Sequence, residues 1–270
     1  MNTESNRIHF TKMQGLGNDY LYVFGEVPEN IESISRKLSD RHFGVGSDGM
    51  IYISCSGEAD FKMRIFNADG SEAKMCGNGI RCVGKYVYDK GYTDKTRITV
   101  ETLSGIKTLD LKIRNGKVRT AAVDMGKAEA GEDMKLKLRG AEVVCTPVSV
   151  GNPHAVMFVE DAAAAPVAVL GPQIEKHKAF PGGVNAEFVQ VMSESELRMR
   201  VWERGSGITM ACGTGACATV AAAVRKGYCR SGEPVRVHLD GGALEILVAD
   251  DRSVTMTGPA ELVCEGDAAI

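Results

Sequence analysis

Two cysteines lie in the same short sequence motif, about half a chain apart. Cys76 lies in the run MCGNG, and Cys212 lies in the run ACGTG. The offset between them, 212 − 76, is 136 residues in a chain of 270. Two thiols that face one carbon from opposite sides suit a reaction in which one removes a proton and the other returns it. The pair therefore indicates the site of a racemase or an epimerase.

The repeat extends beyond the cysteines. Alternating apolar residues predict two strands, one ending at Asn67 and the other at Glu203. Asn67 lies nine residues before Cys76, and Glu203 lies nine residues before Cys212. Both cysteine motifs begin predicted helices. A third pair, Asn18 and Asn152, precedes two more apolar strands at an offset of 134 residues. This agreement in order and spacing predicts an internal duplication.

The two predicted helices differ in their surroundings. Residues 216–224 are almost all apolar, which predicts a helix buried on every side, whereas Lys85 and Asp89 predict that the first helix is less enclosed. The free N–H groups and the dipole at a helix N-terminus favour negative charge. They are expected to bind a carboxylate and to lower the pKa of a cysteine at that end.

Composition narrows the class of protein. Apolar residues make up 44% and charged residues 25%, as in folded globular proteins. A net charge of −3 without a lysine and arginine stripe argues against nucleic-acid binding. Residues 1–7 do not resemble a signal peptide, and no window approaches the roughly 18 apolar residues of a membrane span. We therefore expect a cytoplasmic protein that does not bind membranes.

The cysteine spacing argues against a metal site. The chain has eight cysteines, which are expected to stay reduced in the cytoplasm. It contains no Cys-x-x-Cys pair, and neither Cys76 with Cys82 nor Cys212 with Cys217 has the spacing of a zinc ribbon. No metal is predicted.

The domain boundary is predicted near a turn. Asn115-Gly116 between alternating segments is a strong hairpin signal. We expect an N-terminal repeat domain at 1–118 and a C-terminal repeat domain at 119–262. Residues 263–270 are expected to pack back on the first domain.

Six ordered runs carry a resemblance to a known family, the diaminopimelate epimerases, nearly from end to end. They are GLGND at 15–19, FNADGSE at 66–72, MCGNGIRC at 75–82, GNPH at 151–154, ERG at 203–205 and ACGTGAC at 211–217. The resemblance implies interconversion of LL- and meso-2,6-diaminopimelate without pyridoxal phosphate or another cofactor. It also implies a role in lysine and peptidoglycan precursor biosynthesis, and a homodimer.

The fold implied by this resemblance is α/β, or more closely α+β. It has two pseudo-symmetric domains, each a curled, mostly antiparallel sheet wrapped around a central helix. The active site is expected in the cleft between them.

The resemblance also assigns roles to residues. Cys76 and Cys212 match the acid/base pair, and His154 and Glu203 match residues beside the thiols that assist proton movement. Arg204 suits the carboxylate at the far, L-configured end of the substrate, as a bidentate pair. The positions that match the family's substrate contacts are Asn18, Asn67, Gly77, Asn78, Asn152, Asn185, Glu203, Arg204, Gly213 and Thr214.

One position departs from the family pattern. Some members have glutamine after a Gly-x-Gly-x-Asp run, whereas here Gly44–Asp48 is followed by Gly49. Any side-chain contact from that position is lost, so the backbone or a water must replace it.

Other functions stay open at this point. Proline racemases and hydroxyproline epimerases resemble the chain around both cysteines, but they typically carry histidine where this chain has Asn78. Glu203-Arg204 also suits a second charged end, which proline lacks. A related-fold isomerase of the phenazine-biosynthesis type lacks the cysteine pair, and a non-catalytic thiol-redox protein would be expected to carry Cys-x-x-Cys.

Overall fold

Two units, each with its own strands and helices, make up the computed structural model, which describes residues 7–270. The first unit comprises the described residues up to Val123 together with Gly258–Ile270, and the second is Asp124–Thr257. The domain boundaries predicted from the sequence, 118/119 and 262/263, stay predictions.

The first unit begins with two strands that flank a tight turn and contains two helices. Strand β8 leads from it into the second unit. Its elements are β1 Arg7–Gly15, β2 Asn18–Phe24, α1 Ile31–Ser39, β3 Gly49–Ser54, β4 Phe61–Asn67, β5 Glu72–Ala73, α2 Gly77–Asp89, β6 Arg97–Thr102, β7 Gly105–Arg114 and β8 Lys117–Lys127.

The second unit also has two helices among its strands, and β18 carries the chain back to the first unit. The remaining elements are β9 Glu129–Ala130, β10 Met134–Leu138, β11 Ala141–Ser149, β12 Pro153–Phe158, α3 Val167–Glu175, β13 Asn185–Ser193, β14 Glu196–Glu203, β15 Gly207–Ile208, α4 Gly213–Arg225, β16 Pro234–Leu239, β17 Gly242–Val248, β18 Ser253–Pro259 and β19 Glu261–Ala269.

The strands of the two units pair in the same order. In the first unit, β1–β2 is antiparallel, β2–β3 parallel, β3–β4 antiparallel and β4–β6 parallel, followed by antiparallel β6–β7 and β7–β8. The second unit repeats this series with β11–β12, β12–β13, β13–β14, β14–β16, β16–β17 and β17–β18. The α/β class and the duplication predicted from the sequence are confirmed.

One long helix packs against the strands of each unit. Helix α2 contacts β1, β2 and β7, and α4 contacts β11, β12 and β17 among others. The apolar α4 is buried on nearly every side, as predicted. The expectation that α2 is less enclosed is wrong, because Gly77 through Val87 are all buried. Its cations stay inside by bonding to backbone carbonyls: Arg81 donates to Pro259 and Gly77, and Lys85 donates to Val118.

The hairpin predicted at Asn115-Gly116 joins β7 to β8. Arg114 pairs with Lys117, and the two residues between them have φ angles of 54° and 71°. Positive φ at both central positions defines the type I′ turn that fits the twist of two strands. The hairpin prediction is confirmed.

A charged network holds the turn between β1 and β2, where Asn18 begins β2. Asp19 pairs with Lys12 at 3.0 Å and with Arg41 at 2.8 Å, and Arg41 also contacts Asp48 at 2.8 Å. Burial raises the pKa of Asp19, but the hydrogen bonds and charges of Arg41 and Lys12 outweigh it and hold the pKa below its ordinary 3.8. The ionised carboxylate therefore stabilises this turn.

We predict that Asp19→Asn lowers the free energy of unfolding at pH 7 by about 2 kcal/mol, because Arg41 and Lys12 lose a charged acceptor. A carboxyl with a lowered pKa stabilises the fold above its unfolded pKa of about 4, and this contribution disappears as the pH falls through the folded value. Urea unfolding at a series of pH values should show wild type and variant converging below about pH 4.

The matched control for that measurement is Asp110→Asn. Asp110 faces Arg97 at 3.7 Å with both side chains exposed, so its removal should leave the unfolding curve unchanged. A stability gap between Asp19→Asn and wild type that persists at full size to about pH 2 would contradict the role given to the Asp19 carboxylate.

Candidate active site

Cys76 and Cys212 occupy the same position at the start of their helices. Each is the N-cap residue, with backbone angles of −136°, 114° for Cys76 and −120°, 111° for Cys212. Each Sγ accepts a hydrogen bond from a backbone N–H three residues on, at 3.3 Å from Gly79 and 3.4 Å from Gly215. Both sulfurs therefore lie at the positive end of a helix dipole, beside the N–H groups of the first turn.

The second glycine of each cysteine motif lies close to a side chain of a neighbouring strand. A Cβ at Gly79 would lie 2.7 Å from Cδ1 of Ile51 on β3. A Cβ at Gly215 would lie 2.9 Å from Oε1 of Glu187 on β13 and 3.2 Å from Cys212 Sγ. Strand and helix thus approach equally closely in both units, but the neighbour is an alkyl group in one and a carboxyl group in the other.

Cys76 has polar neighbours on β2. Its Sγ donates to Asn18 Oδ1 at 3.2 Å, and Asn18 Nδ2 donates to Asp48 at 2.7 Å. The Tyr20 hydroxyl is hydrogen-bonded to both Cys76 and Asn18. Burial, followed by the charges of Cys76 and Asp48, raises the pKa of Tyr20 well above its ordinary 10.0, so the phenol stays protonated. The sequence did not identify Tyr20 or Asp48 as part of this site.

The other predicted residues of the first unit have structural partners. Asn78 is buried, and its Oδ1 accepts a hydrogen bond from the buried Arg81 at 3.1 Å. Gly77 is the first residue of α2. Asn67 ends β4, and its Nδ2 donates to Ser71 Oγ at 3.0 Å across the following loop. The described hydrogen bonds thus join Asn18 to the thiol and hold Asn67 to its own loop.

Four predicted residues of the second unit form one continuous chain of contacts that ends at a thiol. His154 Nε2 lies 3.1 Å from Asn152 Oδ1, and Asn152 Nδ2 donates to Thr214 Oγ1 at 3.2 Å. Thr214 Oγ1 lies 3.6 Å from Cys212 Sγ. The structure therefore brings Asn152, His154 and Thr214 together with Cys212, next to Gly213 at the start of α4.

Glu187 is a member of this site that the sequence analysis missed. Its Oε1 lies 2.6 Å from Nδ1 of His154, and both side chains are fully buried. An acidic residue inside the apolar run AEFV was the available signal, because charged residues are rarely buried without a partner. The partner itself is 33 residues away in the chain and could not be read from local spacing.

Glu203 and Arg204 leave the end of β14 in different directions. Glu203 accepts a short hydrogen bond from the Thr209 hydroxyl and is also hydrogen-bonded to Cys212. Burial raises the pKa of Glu203, which favours its neutral form beside the thiol. The Arg204 backbone N–H donates to Asn185 Oδ1 at 2.8 Å, and its guanidinium donates to the Gly182 carbonyl at 2.9 Å. These contacts hold Arg204 against the segment that leads into β13.

The expectation of a lowered thiol pKa is wrong for Cys212. Burial raises its pKa well above the ordinary 9.0, and the carboxylates of Glu203 and Glu187 raise it further. The hydrogen bonds from Thr214 and from the Gly215 N–H act in the opposite direction. The helix terminus stabilises the thiolate, but desolvation outweighs it because Cys212 is only 5% exposed.

Gly49 has no room for the glutamine that some family members carry. It is buried with φ of +155°, and a Cβ there would lie 2.2 Å from the Phe66 carbonyl oxygen on β4. Gly49 pairs directly with Asn67 in the β3–β4 ladder. Because Gly49 has no side chain, β3 and β4 can approach closely at Asn67.

Neither a metal-ligand cluster nor a membrane-spanning helix occurs in residues 7–270. Within residues 7–270, no group of three or more His, Cys, Asp or Glu side chains is arranged to hold a metal ion. In the same part of the chain, no helix has the length and apolar character needed to cross a membrane.

The fold resembles solved structures at low sequence identity. A phenazine biosynthesis protein of the PhzF family from Bacillus anthracis superposes with a TM-score of 0.78 at 16% identity, covering 98% of this chain and 99% of that one. A hydroxyproline epimerase from Agrobacterium vitis superposes with a TM-score of 0.74, also at 16% identity, covering 98% and 93%. These similarities establish the fold alone.

Sequence similarity is far higher to one family. The family model described as diaminopimelate epimerase matches residues 10–130 and 146–263. A diaminopimelate epimerase from Methanococcus maripaludis is 51% identical, and one from Acetivibrio thermocellus is 50% identical. Each alignment covers 96% of this chain and 98% of the relative. The N-cap cysteines thus belong to a chain that matches these enzymes over nearly its whole length, and the chain belongs to the diaminopimelate epimerase family.

Proposed function

We propose that this protein is an isomerase that interconverts LL- and meso-2,6-diaminopimelate by a two-base mechanism. The observation that carries the proposal is the pair of cysteines, each capping a buried helix in a chain of this family. One thiolate removes the Cα proton, and the other thiol donates a proton to the opposite face. Neither pyridoxal phosphate nor a metal takes part in this scheme.

Protons and electrons balance in this step. Before the reaction one cysteine is a thiolate and the other a thiol, and afterwards their states are exchanged. The C–H bond leaves its electron pair on Cα, and that pair forms the new C–H bond with the proton of the second thiol. The free enzyme regains its starting state by exchanging protons with water, or by catalysing the reverse reaction.

In this scheme, fixed backbone dipoles stabilise the carbanion. We propose that the N–H groups of Gly77-Asn78 and Gly213-Thr214 bind the carboxylate next to the reacting carbon. Such groups stabilise the charge that spreads onto that carboxylate in the transition state, and they do so without reorganising. His154 and Glu203 are proposed to assist proton movement at Cys212, which is supported by their contacts with it and with its neighbours.

The far end of the substrate requires its own contacts. We propose that Arg204 binds the distant carboxylate as a bidentate pair, while the amides of Asn18, Asn67, Asn152 and Asn185 bind the remaining polar groups. The hydrogen bond from the Arg204 N–H to Asn185 supports the view that these two residues act together. In this scheme Arg204 distinguishes diaminopimelate from an amino acid with one charged end.

The setting of the enzyme follows from the same proposal. Diaminopimelate is a precursor of lysine and of peptidoglycan, so we propose a cytoplasmic enzyme of that biosynthesis. We also propose that it works as a homodimer.

The first test is isotope exchange. With LL-diaminopimelate in D₂O and no added pyridoxal phosphate or metal, the enzyme should form the meso isomer with deuterium at Cα, because the returning proton comes from an exchanged thiol. Mass spectrometry and chiral chromatography measure both. Proline and hydroxyproline serve as comparison substrates, and exchange with either of them but not with diaminopimelate would favour a proline racemase-type function.

The second test removes each thiol. Cys76→Ala and Cys212→Ala should each lower kcat for epimerisation by about 10³-fold or more, since each variant lacks either the acid or the base for every turnover. Cys55→Ala is the control, because Cys55 is an exposed cysteine outside the site, and it should keep wild-type turnover. Near-normal turnover by either active-site variant would refute the two-base mechanism.

A further inference from the structure

Glu187 is a buried acid whose side chain contacts the ring of His154. Its side chain is fully buried on β13, between the buried apolar residues Ala186 and Phe188. Oε1 contacts His154 at 2.6 Å, and Oε2 has no hydrogen-bond partner among residues 7–270. A buried carboxylate with so few donors is costly unless a proton lies between it and its neighbour. The contact with His154 must therefore carry that proton.

The hydrogen bond on the far side of His154 fixes the positions of its hydrogens. Nε2 lies 3.1 Å from Asn152 Oδ1, and an amide oxygen only accepts, so Nε2 carries a hydrogen. The short contact between Nδ1 and Glu187 needs a second hydrogen. Either an imidazolium faces a carboxylate, or an imidazole faces a carboxylic acid. In both cases the pair has no net charge and Nε2 is a donor.

The donors along the chain then all point toward the thiol. His154 Nε2 donates to Asn152 Oδ1, and Asn152 Nδ2 donates to Thr214 Oγ1. Because Thr214 Oγ1 is already an acceptor for Asn152, its own hydrogen is available to Cys212 Sγ at 3.6 Å. A hydroxyl that donates to sulfur favours the thiolate over the thiol.

The corresponding chain in the first unit runs the other way. Cys76 Sγ donates to Asn18 Oδ1, and Asn18 Nδ2 donates to Asp48 Oδ2. Asp48 therefore holds the Asn18 amide with its oxygen toward the sulfur as an acceptor, while the Tyr20 hydroxyl is also hydrogen-bonded to Cys76. The residue that packs against the helix start in that unit is Ile51, whose alkyl side chain can fix no hydrogen.

We propose that Glu187 is a positioning residue: by holding a hydrogen on each side of the His154 ring, it directs the Thr214 hydroxyl to Cys212 and stabilises the Cys212 thiolate. This inference rests on the proposed acid/base role of Cys212. It concerns the ionisation of Cys212 in the substrate-free enzyme.

Cys212 depends on such donors because its surroundings oppose its charge. Burial raises its pKa, and the acidic groups that face it are Glu203 from the end of β14 and Glu187 from β13. Burial also raises the pKa of Glu203, and the proton between Glu187 and His154 leaves that pair without net charge. The Thr214 hydroxyl and the Gly215 N–H are the donors that offset part of this desolvation.

The test measures the ionisation of Cys212 without substrate. Protein is treated with iodoacetamide over a range of pH, and labelling of Cys212 and Cys76 is followed separately by peptide mass spectrometry. Glu187→Leu keeps the volume but removes the partner of Nδ1, so His154 no longer has a fixed tautomer. We expect Cys212 labelling at neutral pH to slow about tenfold, the size expected for one hydrogen bond to a thiolate, with Cys76 labelling unchanged.

Two further variants separate a positioning role from a structural one. Glu187→Gln can donate its amide hydrogen to Nδ1 and should keep Cys212 labelling within about twofold of wild type, since the chain keeps its direction. Thr214→Val removes the last donor at the less buried end of the chain and should reproduce the Glu187→Leu effect. In the double variant the two effects should not add, because both act through one chain.

Several results would overturn the inference. Wild-type labelling of Cys212 in both Glu187→Leu and Thr214→Val would exclude the chain, and equal slowing in Glu187→Leu and Glu187→Gln would mean that the charge itself is needed. Thiolate absorbance, taken as the difference between proteins with and without Cys212, gives a second measurement that does not depend on reagent access. Because no substrate is present, these outcomes are independent of whether the protein epimerises diaminopimelate.

Discussion

A cysteine that caps a buried helix is the constraint on which the site depends. The first turn of a helix leaves N–H groups without partners, and inside a protein these groups must be satisfied. Cys76 and Cys212 each satisfy one of them with sulfur, at Gly79 and Gly215. The same geometry places each sulfur beside the other N–H groups of the first turn. It also demands glycine at the third helical position, since a neighbouring strand leaves no space for a side chain there.

Duplication explains why the geometry occurs twice, and divergence explains why the two copies differ chemically. The ladder of each unit has the same series of parallel and antiparallel pairs, so equivalent positions face equivalent helix starts. Where the first unit presents Ile51, the second presents Glu187. Backbone geometry could be kept while side chains changed, because the close approach of strand to helix depends on the glycine rather than on the facing residue.

Local patterns revealed much of the fold and only part of the site. The repeat, the hairpin at Asn115-Gly116 and the helix starts at both cysteines follow from spacing and turn chemistry within a few residues. The burial of α2 did not, because Lys85 is expected at the surface until the distant Val118 carbonyl is found to accept from it. Glu187 was missed for the same reason, since a buried charge is explained only by a partner from another strand.

The helix dipole alone does not distinguish the two cysteines. The direction of the hydrogen bonds around each sulfur can make their thiolates differ in stability. Both sulfurs receive a backbone N–H from the first turn, so the dipole favours the thiolate equally at each. A two-base reaction needs them to differ, with one proton shared between two groups. Burial of Cys212 works against its thiolate, and the donors that reach its sulfur offset part of that cost. Asymmetry of this kind requires no change in the backbone, only different side chains at equivalent positions, such as Glu187 where the first unit has Ile51.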